Sequence, residues 1–276
     1  MKRNLYITSN QDITRTNNIL KIGDKKMPLS IINNLFIIGN CKLSQGAKTL
    51  LLKNSRAIYY LNNRYELIGI LQPPVFDSDY KIRLLQYKNR DNLELAKFIV
   101  LKKIEAIEDY TNKSLNRYKL KLENVNTLNE ILGVEGSSSI YMYKKFREEL
   151  QNIGIDEFQK REYRPVKDRV NGILSFLYTL YYSFLHSVVV SEGFDPYIGF
   201  LHIKRGKHSA FVSDMMEEAR IYLTKLAVEI LEEVYPEGFD GIYLDYEARK
   251  IVLKKFDEFI ETYENTLLKE IKEKLC

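Results

Sequence analysis

One uncharged segment, Val170–Val190, constrains the fold of this chain more than any other part of its sequence. The segment is long enough to cross a bilayer as a helix, and it has a basic flank before it and an acidic flank after it. However, small polar residues recur at every fourth position and would form one ridge along such a helix: Asn171, Ser175, Thr179, Ser183 and Ser187. Tyrosines also lie in its middle, whereas membrane spans concentrate tyrosine near their ends. The segment therefore predicts a buried core helix of a protein with no membrane partner.

The two parts of the chain differ in their patterning. Residues 1–75 are patterned as short strands separated by turns, and the sequence after them is patterned as helices. Strands are predicted over Leu5–Thr8, Asp12–Arg15, Ile19–Ile22, Leu35–Ile38, Ala57–Leu61 and Glu66–Leu71, with a short helix over Ser44–Lys53. Pro73–Pro74 ends this part, because strands and helices both tolerate consecutive prolines poorly. We therefore expect an α+β fold with a strand domain over residues 1–75, a linker over 76–90 and a helical domain over 91–276.

Capping signals divide the helical part into elements. Helix starts are predicted from Asp91 with Glu94, from Thr127 with Glu130, and from Asp168. Gly133 is expected to end a helix, and Glu135 is then expected to begin the next one. Further helices are predicted over Ser209–Tyr235 and over Asp245–Leu275.

Composition narrows the class of protein. The net charge of +5 and the sequence pI of about 8.9 favour polyanionic partners only mildly. Cys41 and Cys276 provide neither a disulfide framework nor the spacing of a zinc site. The first residues contain no apolar signal segment, so a cytoplasmic location is expected.

Three short segments each place a side chain that can bind a metal in a restricted setting. Gly133–Gly136 holds Glu135 between glycines, Gly193–His202 ends in a histidine, and Asp214–Arg220 carries several acids. A glutamate, a histidine and a further carboxylate together form a mixed oxygen and nitrogen ligand set. Such a set suits Mg²⁺ or Mn²⁺ and the chemistry of phosphate esters.

Each segment also has an ordinary structural explanation. Glu135 could be a charge that the dipole of a helix N-terminus favours, and His202 could be a core histidine. Acids three and four residues apart, as at Asp214, Glu217 and Glu218, usually form the solvated face of an amphipathic helix. The basic residues after His202 would meet phosphate oxygens if they lay beside a metal, and would otherwise be solvated: Lys204, Arg205 and Lys207.

Taken together, the segments resemble the CRISPR-associated spacer-acquisition integrase and endonuclease family called Cas one (Cas1). The similar segments cover most of the chain: Glu135–Gly136, Arg161–Asn171, Gly193–His202, Asp214–Arg220 and Leu244–Arg249, with Pro28–Ile32, Phe36–Asn40 and Tyr65–Gly69 in the first part. No single segment is specific, but their combination and order are. The chain departs from the family pattern around Arg220, where Ala219 and Ile221 replace an aromatic residue and a proline.

The resemblance implies a metal centre and its chemistry. Glu135, His202 and Glu217 are implied as the catalytic ligands of Mg²⁺ or Mn²⁺, with Asp214 at a neighbouring acidic position. Which of Asp214 and Glu217 binds the metal directly is left open, because the family often has Asp where Glu217 stands. The implied reaction is DNA strand transfer, in which a 3′-hydroxyl attacks a phosphodiester of the CRISPR repeat, with DNA endonuclease activity at the same site.

The resemblance also implies an assembly. The strand domain would be a small β-sandwich that forms a homodimer, followed by a larger all-α catalytic domain. The dimer would bury apolar residues that so small a sheet leaves partly exposed, such as Leu35, Ile37 and Tyr59. The expected partners are DNA, as spacer fragment and CRISPR repeat, and the Cas two (Cas2) protein. Basic residues are expected to bind this DNA: Arg161, Arg164, Lys204, Arg205 and Lys207.

Two other classes of function remain compatible with the sequence. One is a metal-dependent DNA nuclease that uses the same residues without any integration. The other is a non-catalytic nucleic-acid-binding scaffold, in which the carboxylates form only a solvated helix face.

Overall fold

The computed structural model describes residues 3–7, 11–63, 65–73, 77–162, 166–203, 206 and 208–276. The chain divides into two compact units, which are described separately. The first unit is formed by Met1–Leu85 and Ser183–Asp195, and the second by Gln86–Tyr182 and Pro196–Cys276. The first unit therefore extends beyond the strand region, through part of the predicted linker and the end of one helix.

Two small sheets form the body of the first unit. Its strands are β1 (Arg3–Ile7), β2 (Ile13–Thr16), β3 (Ile19–Ile22), β4 (Lys25–Pro28), β5 (Ile32–Ile38), β6 (Ile58–Leu61) and β7 (Leu67–Leu71), with helices α1 (Gln45–Lys53) and α2 (Asp77–Lys88). One sheet has the order β1-β5-β6-β7, in which β5 is parallel to both neighbours and β7 is antiparallel to β6. The other is the antiparallel sheet β2-β3-β4.

The two sheets and α1 share one apolar core. Ile13 and Leu20 from the three-stranded sheet pack in the same cluster as Leu35 and Ile37 from the four-stranded sheet, and Leu51 of α1 joins them. All five side chains are buried. Leu35 and Ile37 point to the same face of β5, because alternate residues of a strand share a face. The predicted α+β fold, with strands followed by helices, is confirmed.

Two predictions about the first unit need correction. Leu35, Ile37 and Tyr59 are at most 2% exposed, so they are core residues and offer no surface to a second chain. Exposed apolar side chains lie instead on β7, at Ile68, Ile70 and Leu71, and on α2, at Tyr80 and Leu84. Strand β4 was not predicted, because its two lysines and terminal proline do not alternate with apolar residues. It lies at the edge of its sheet, where a strand can form with few apolar residues and can end in proline.

After α2, the regular structure of the described residues consists of seven helices and one hairpin. They are α3 (Leu93–Thr111), α4 (Asn116–Asn124), α5 (Leu128–Asn152), α6 (Arg169–Ser191), α7 (Ala210–Val234), the hairpin β8 (Phe239–Asp240) and β9 (Tyr243–Leu244), α8 (Tyr246–Thr262) and α9 (Thr266–Leu275). The capping box of Thr127 and Glu130 at the start of α5 is confirmed, and Asp168 caps α6 through the Asn171 N–H. The predicted cap at Asp91 is wrong, because Asn92 caps α3.

The predicted break at Gly133 is also wrong, because α5 runs through both glycines. Val134, Ser138 and Met142 lie buried on one face of the helix, and this packing holds the segment helical. Each glycine inside a helix lowers the stability of the helix by about 1 kcal/mol relative to alanine. The burial of apolar side chains on α5 stabilises the helix by more than this. Glu135 therefore lies inside a helix and does not begin one.

The predicted helix over Asp245–Leu275 is in fact two helices. They are separated at Tyr263–Asn265, where the Asn265 side chain accepts a hydrogen bond from the Leu268 N–H and caps α9. The same side chain donates to the Met215 carbonyl oxygen at 3.0 Å, which fixes the break against α7.

Helix α6 contains the uncharged segment. Among the described residues it is the one helix whose length and composition would allow it to cross a membrane. Its most apolar 18 residues have a mean hydropathy of 1.5. However, 56% of this stretch is buried inside the protein. Asn171 and Ser187 of the polar ridge are fully buried and hydrogen-bonded, as expected for a core helix.

Candidate metal centre

A buried lysine joins the two glutamates that the sequence singled out. Lys103 lies on α3, Glu135 on α5 and Glu217 on α7, and these helices pack together in the second unit. The Lys103 ammonium donates to Glu135 Oε1 and, at 2.6 Å, to Glu217 Oε2. Ser139, one turn after Glu135, donates to the same Glu135 oxygen at 3.1 Å. Carboxylates that are far apart in the sequence thus converge on one cation.

His202 is held beside this pair by Asp214. The His202 Nδ1 atom lies 2.8 Å from Asp214 Oδ1, and the His202 backbone N–H donates to the same oxygen at 2.8 Å. Because an ionised carboxylate can only accept hydrogen bonds, Nδ1 carries the proton when the ring is neutral. The other ring nitrogen, Nε2, is then free to accept and lies 4.0 Å from Glu217 Oε1.

Asp214 organises the loop before α7. Its Oδ2 atom accepts from the Phe200 N–H at 2.6 Å and from the Leu201 N–H at 3.1 Å. With His202 on Oδ1, both carboxylate oxygens are occupied, and the side chain is completely buried. Asp214 therefore orients His202 and does not itself face an open site, as is typical of a carboxylate behind a metal-binding histidine.

Gly199 makes this arrangement possible. A Cβ atom at this position would lie 2.5 Å from the His202 carbonyl oxygen and 2.9 Å from Asp214 Oδ2. Both distances are well below van der Waals contact, so no side chain fits between the loop and the carboxylate.

A second cation contacts the centre through α7. Arg220, one turn after Glu217, donates from Nε to Glu217 Oε1 at 3.1 Å. Its guanidinium lies 5.2 Å from the centre of the Tyr178 ring, and the Arg161 guanidinium lies 5.5 Å from the same ring. The Tyr178 hydroxyl is 3.0 Å from Thr224 Oγ1, which fixes the ring between the two arginines.

These charges shift the pKa values of the centre. Burial alone would raise the pKa of Glu217, but Lys103, Arg220 and His202 hold it well below its ordinary value. Burial would lower the pKa of Lys103, but Glu217 and Glu135 raise it, so the ammonium stays charged. Burial would likewise lower the pKa of His202, and Asp214 followed by Glu217 raises it. In all three groups the effect of the neighbouring charges on the pKa outweighs that of burial.

The donor atoms fit a hard divalent ion. In the part of the chain that the structure describes, no three acid, histidine or cysteine side chains already surround one point, because Lys103 lies between the glutamates. Yet the 4.0 Å between His202 Nε2 and Glu217 Oε1 is about the span of two Mg²⁺–ligand bonds. The hydrogen bonds of the Glu135 carboxylate among the described residues all reach Oε1, so Oε2 is open to an ion as well.

The predicted DNA-binding residues are only partly described. Arg164, Lys204, Arg205 and Lys207 lie outside the described residues. Arg161 is half-buried and donates to Asn171 Oδ1 at 2.9 Å and to Ser175 Oγ at 3.0 Å. Its guanidinium is therefore held in a fixed position near the Tyr178 ring, which the Arg220 guanidinium also contacts.

Sequence reasoning missed Lys103 and the pairing of Arg220 with Glu217. A signal for Lys103 exists in the pattern of α3, because Lys103 follows Val100 by three residues and precedes Ile107 by four, on the apolar face. A lysine on such a face is rarely buried without an acidic partner. The alternative explanation, in which Asp214, Glu217 and Glu218 form only a solvated helix face, is excluded because all three are buried.

Comparisons with known proteins identify related sequences and folds. A family model described as CRISPR associated protein Cas1 matches residues 5–258. A CRISPR-associated endonuclease Cas1 from Thermotoga maritima is 23% identical over an alignment of 278 positions, gaps included, which covers 92% of this chain and 86% of the relative.

Two solved structures share the fold. A partial Cas6-RT-Cas1–Cas2 complex contains a chain with a TM-score of 0.83 and 22% identity, and the match covers 100% of this chain and 96% of that one. A casposase bound to integration product gives a TM-score of 0.70 with 17% identity, over 100% and 94% of the two chains. At these identities the likeness concerns the fold.

Proposed function

We propose a function for this chain from the premise that it belongs to the Cas1 family, whose model matches residues 5–258 of its 276 residues. The curated relatives are CRISPR-associated endonucleases. For this chain we propose a metal-dependent integrase of CRISPR adaptation, which joins the 3′-hydroxyl of a DNA fragment to a phosphodiester of the repeat. Hydrolysis at the same centre gives endonuclease activity when water replaces the hydroxyl. The observation that carries the proposal is the convergence of Glu135, Glu217 and His202 on one buried, charged cluster.

Glu135, Glu217 and His202 would hold Mg²⁺ or Mn²⁺. The ion would lower the pKa of the attacking hydroxyl and stabilise the charge that develops on the phosphate oxygens. Lys103 and Arg220 keep Glu217 ionised, and Asp214 keeps the lone pair of His202 Nε2 available. One P–O bond breaks as another forms, and the attacking hydroxyl loses a proton while the leaving oxygen gains one. Little net free energy is involved, so positioning and electrostatics must supply the rate.

DNA and Cas2 are the partners that we propose. One similar structure is a casposase bound to an integration product, another is a Cas1–DNA complex, and a third comes from a Cas1–Cas2 complex. Arg161 and the basic residues Arg164, Lys204, Arg205 and Lys207 would supply phosphate contacts beside the centre. We also propose a homodimer through the first unit, where β7 is an edge strand with exposed Ile68 and Ile70. Neither Cys41 nor Cys276 forms a disulfide with another described residue, and we propose a cytoplasmic location.

The scaffold alternative requires solvated carboxylates, and burial of Asp214 and Glu217 argues against it. The stand-alone nuclease uses the same residues, so only an assay of joining separates it from the integrase. Strand joining should be measured with a labelled fragment that carries a 3′-hydroxyl and a supercoiled target that carries a repeat. Cleavage should be measured in the same reactions with Mg²⁺ or Mn²⁺.

Replacement of Glu135 with Ala is expected to reduce both activities at least about 100-fold, because a metal ligand is lost. The matched control is Glu148→Ala, an exposed acid on the same helix, which should retain both activities. Cleavage without joining in the unchanged protein would favour the stand-alone nuclease. Equal joining by E135A and E148A would refute the proposed centre.

A further inference from the structure

Lys103 has no role in the mechanism described above beyond its charge, yet its position is specific. Its side chain is 3% exposed, so it lies beneath the centre and cannot reach a DNA substrate. It donates one hydrogen bond to Glu135 and one to Glu217, and thus binds one oxygen of each carboxylate. The Glu135 Oε2 atom has no hydrogen bond among the described residues. The other Glu217 oxygen, Oε1, accepts from Arg220 and lies 4.0 Å from His202 Nε2.

We propose that Lys103 is a positioning residue of the metal centre, which holds the carboxylates of Glu135 and Glu217 so that one oxygen of each faces a shared ion. The inference rests on the proposed function, because it assigns these two carboxylates as ligands. Without the ammonium, the half-buried Glu135 carboxylate and the buried Glu217 carboxylate would repel each other and turn apart. The lysine therefore prepares the ligand geometry before an ion arrives.

The packing around Lys103 supports a positioning role. A buried ion pair that serves only stability can often be replaced by apolar side chains without loss. Here the partners of Lys103 are the two glutamates of the centre, and Ser139 fixes the same Glu135 oxygen that Lys103 binds. Arg220 holds Glu217 from the opposite oxygen, so the rotation of that carboxylate is restricted at both ends.

Charge alone predicts the opposite effect from positioning, which makes the inference testable. A fixed ammonium repels a divalent ion, so its removal should tighten metal binding if charge dominates. If Lys103 acts by holding the ligands, its removal should weaken binding. Loss of a partner that orients a metal ligand typically costs about 10-fold to 100-fold in metal affinity.

The experiment measures Mn²⁺ binding to the full-length protein by electron paramagnetic resonance of the free ion, without DNA. We expect Lys103→Met, which keeps the volume of the side chain, to weaken Mn²⁺ binding about 10-fold to 100-fold. The matched control is Lys102→Met, one residue earlier on the same helix, because Lys102 pairs with Glu270 and Glu105 and not with the centre. K102M should bind Mn²⁺ as the unchanged protein does.

A third variant separates the hydrogen bonds from the charge and also protects the test against loss of folding. Lys103→Gln still donates two hydrogen bonds, so it should bind Mn²⁺ more tightly than K103M and more weakly than the unchanged protein. Thermal unfolding should establish which variants are folded, and K103Q carries the comparison if K103M is not.

The outcomes distinguish this inference from the proposed function. If the unchanged protein binds no Mn²⁺, or His202→Ala binds it equally well, the proposed centre itself fails. If H202A abolishes binding while folded K103M or K103Q binds Mn²⁺ as tightly as the unchanged protein, or more tightly, the positioning role of Lys103 is refuted.

Discussion

Replacement of Gly199 with alanine tests how the histidine loop is built. The added Cβ would lie 2.5 Å from the His202 carbonyl oxygen, 2.9 Å from Asp214 Oδ2 and 3.1 Å from the Ala210 carbonyl carbon. Two of these atoms are backbone and the third belongs to a buried carboxylate with four hydrogen-bond contacts, so none can turn aside. The loop must move away from Asp214.

The expected cost follows from the contacts that this movement breaks. Each backbone hydrogen bond to the Asp214 carboxylate contributes about 1.5–3 kcal/mol, because its acceptor is charged. Loss of one such bond, together with about 1–3 kcal/mol of residual overpacking, gives a destabilisation of about 2.5–6 kcal/mol. His202 moves with the loop, so Mn²⁺ binding should be lost as well.

A matched substitution of opposite sign is available in the same unit. A Cβ at Gly136, inside α5, would meet no atom within 4 Å. Gly136→Ala should therefore stabilise the protein by about 0.5–1 kcal/mol, since alanine loses less backbone entropy in a helix.

The assay is urea unfolding followed by far-ultraviolet circular dichroism, with Mn²⁺ binding measured in parallel. The reasoning is refuted if G199A unfolds at the same urea concentration as the unchanged protein and still binds Mn²⁺. It is also refuted if the two alanine variants shift the free energy of unfolding in the same direction.

Three further predictions use other parts of the second unit. Burial raises the pKa of Glu218, and its Oε2 has no hydrogen-bond partner among the described residues. Because the folded state holds this proton more tightly, the contribution to stability is present below the ordinary pKa of glutamate and is lost as pH rises through the raised pKa. Urea unfolding of Glu218→Gln should therefore lack this loss of stability with rising pH. Thr127→Ala removes the cap of α5 and should cost about 1 kcal/mol in the same assay. Mn²⁺ binding should weaken as pH falls through the raised pKa of His202, because the proton competes for Nε2; calorimetric titrations across this range would contradict this if the affinity stayed constant.

The fold could be predicted where local signals and tertiary packing agree. The alternating pattern of Ile19–Ile22 and the capping box at Thr127 each specify their element within a few residues. The signals failed where packing decided the structure. Glycines normally favour a helix end, but the buried face of α5 carries the helix through Gly133, and the link from Asn265 to Met215 ends a helix that periodicity would continue.

The sequence indicated which residues to place in the candidate site, but it did not indicate the contacts that hold them together. Family resemblance named Glu135, His202 and Glu217, but no periodicity relates residues on different elements. The wrap of Gly199–His202 around Asp214 depends on backbone hydrogen bonds that a sequence does not display. Lys103 was missed because a single lysine within a helical pattern does not reveal which acids it will meet.

Asp214, Glu217 and Arg220 follow one another at three-residue spacing on α7. Helix geometry fixes their separations at about 4.5 Å of axial rise per step, whatever the rest of the chain does. A structural change elsewhere in the chain therefore moves these three groups together. Only the positions of Glu135, Lys103 and His202 relative to them depend on other contacts. The relative placement of half of these six groups therefore depends on the geometry of one helix alone.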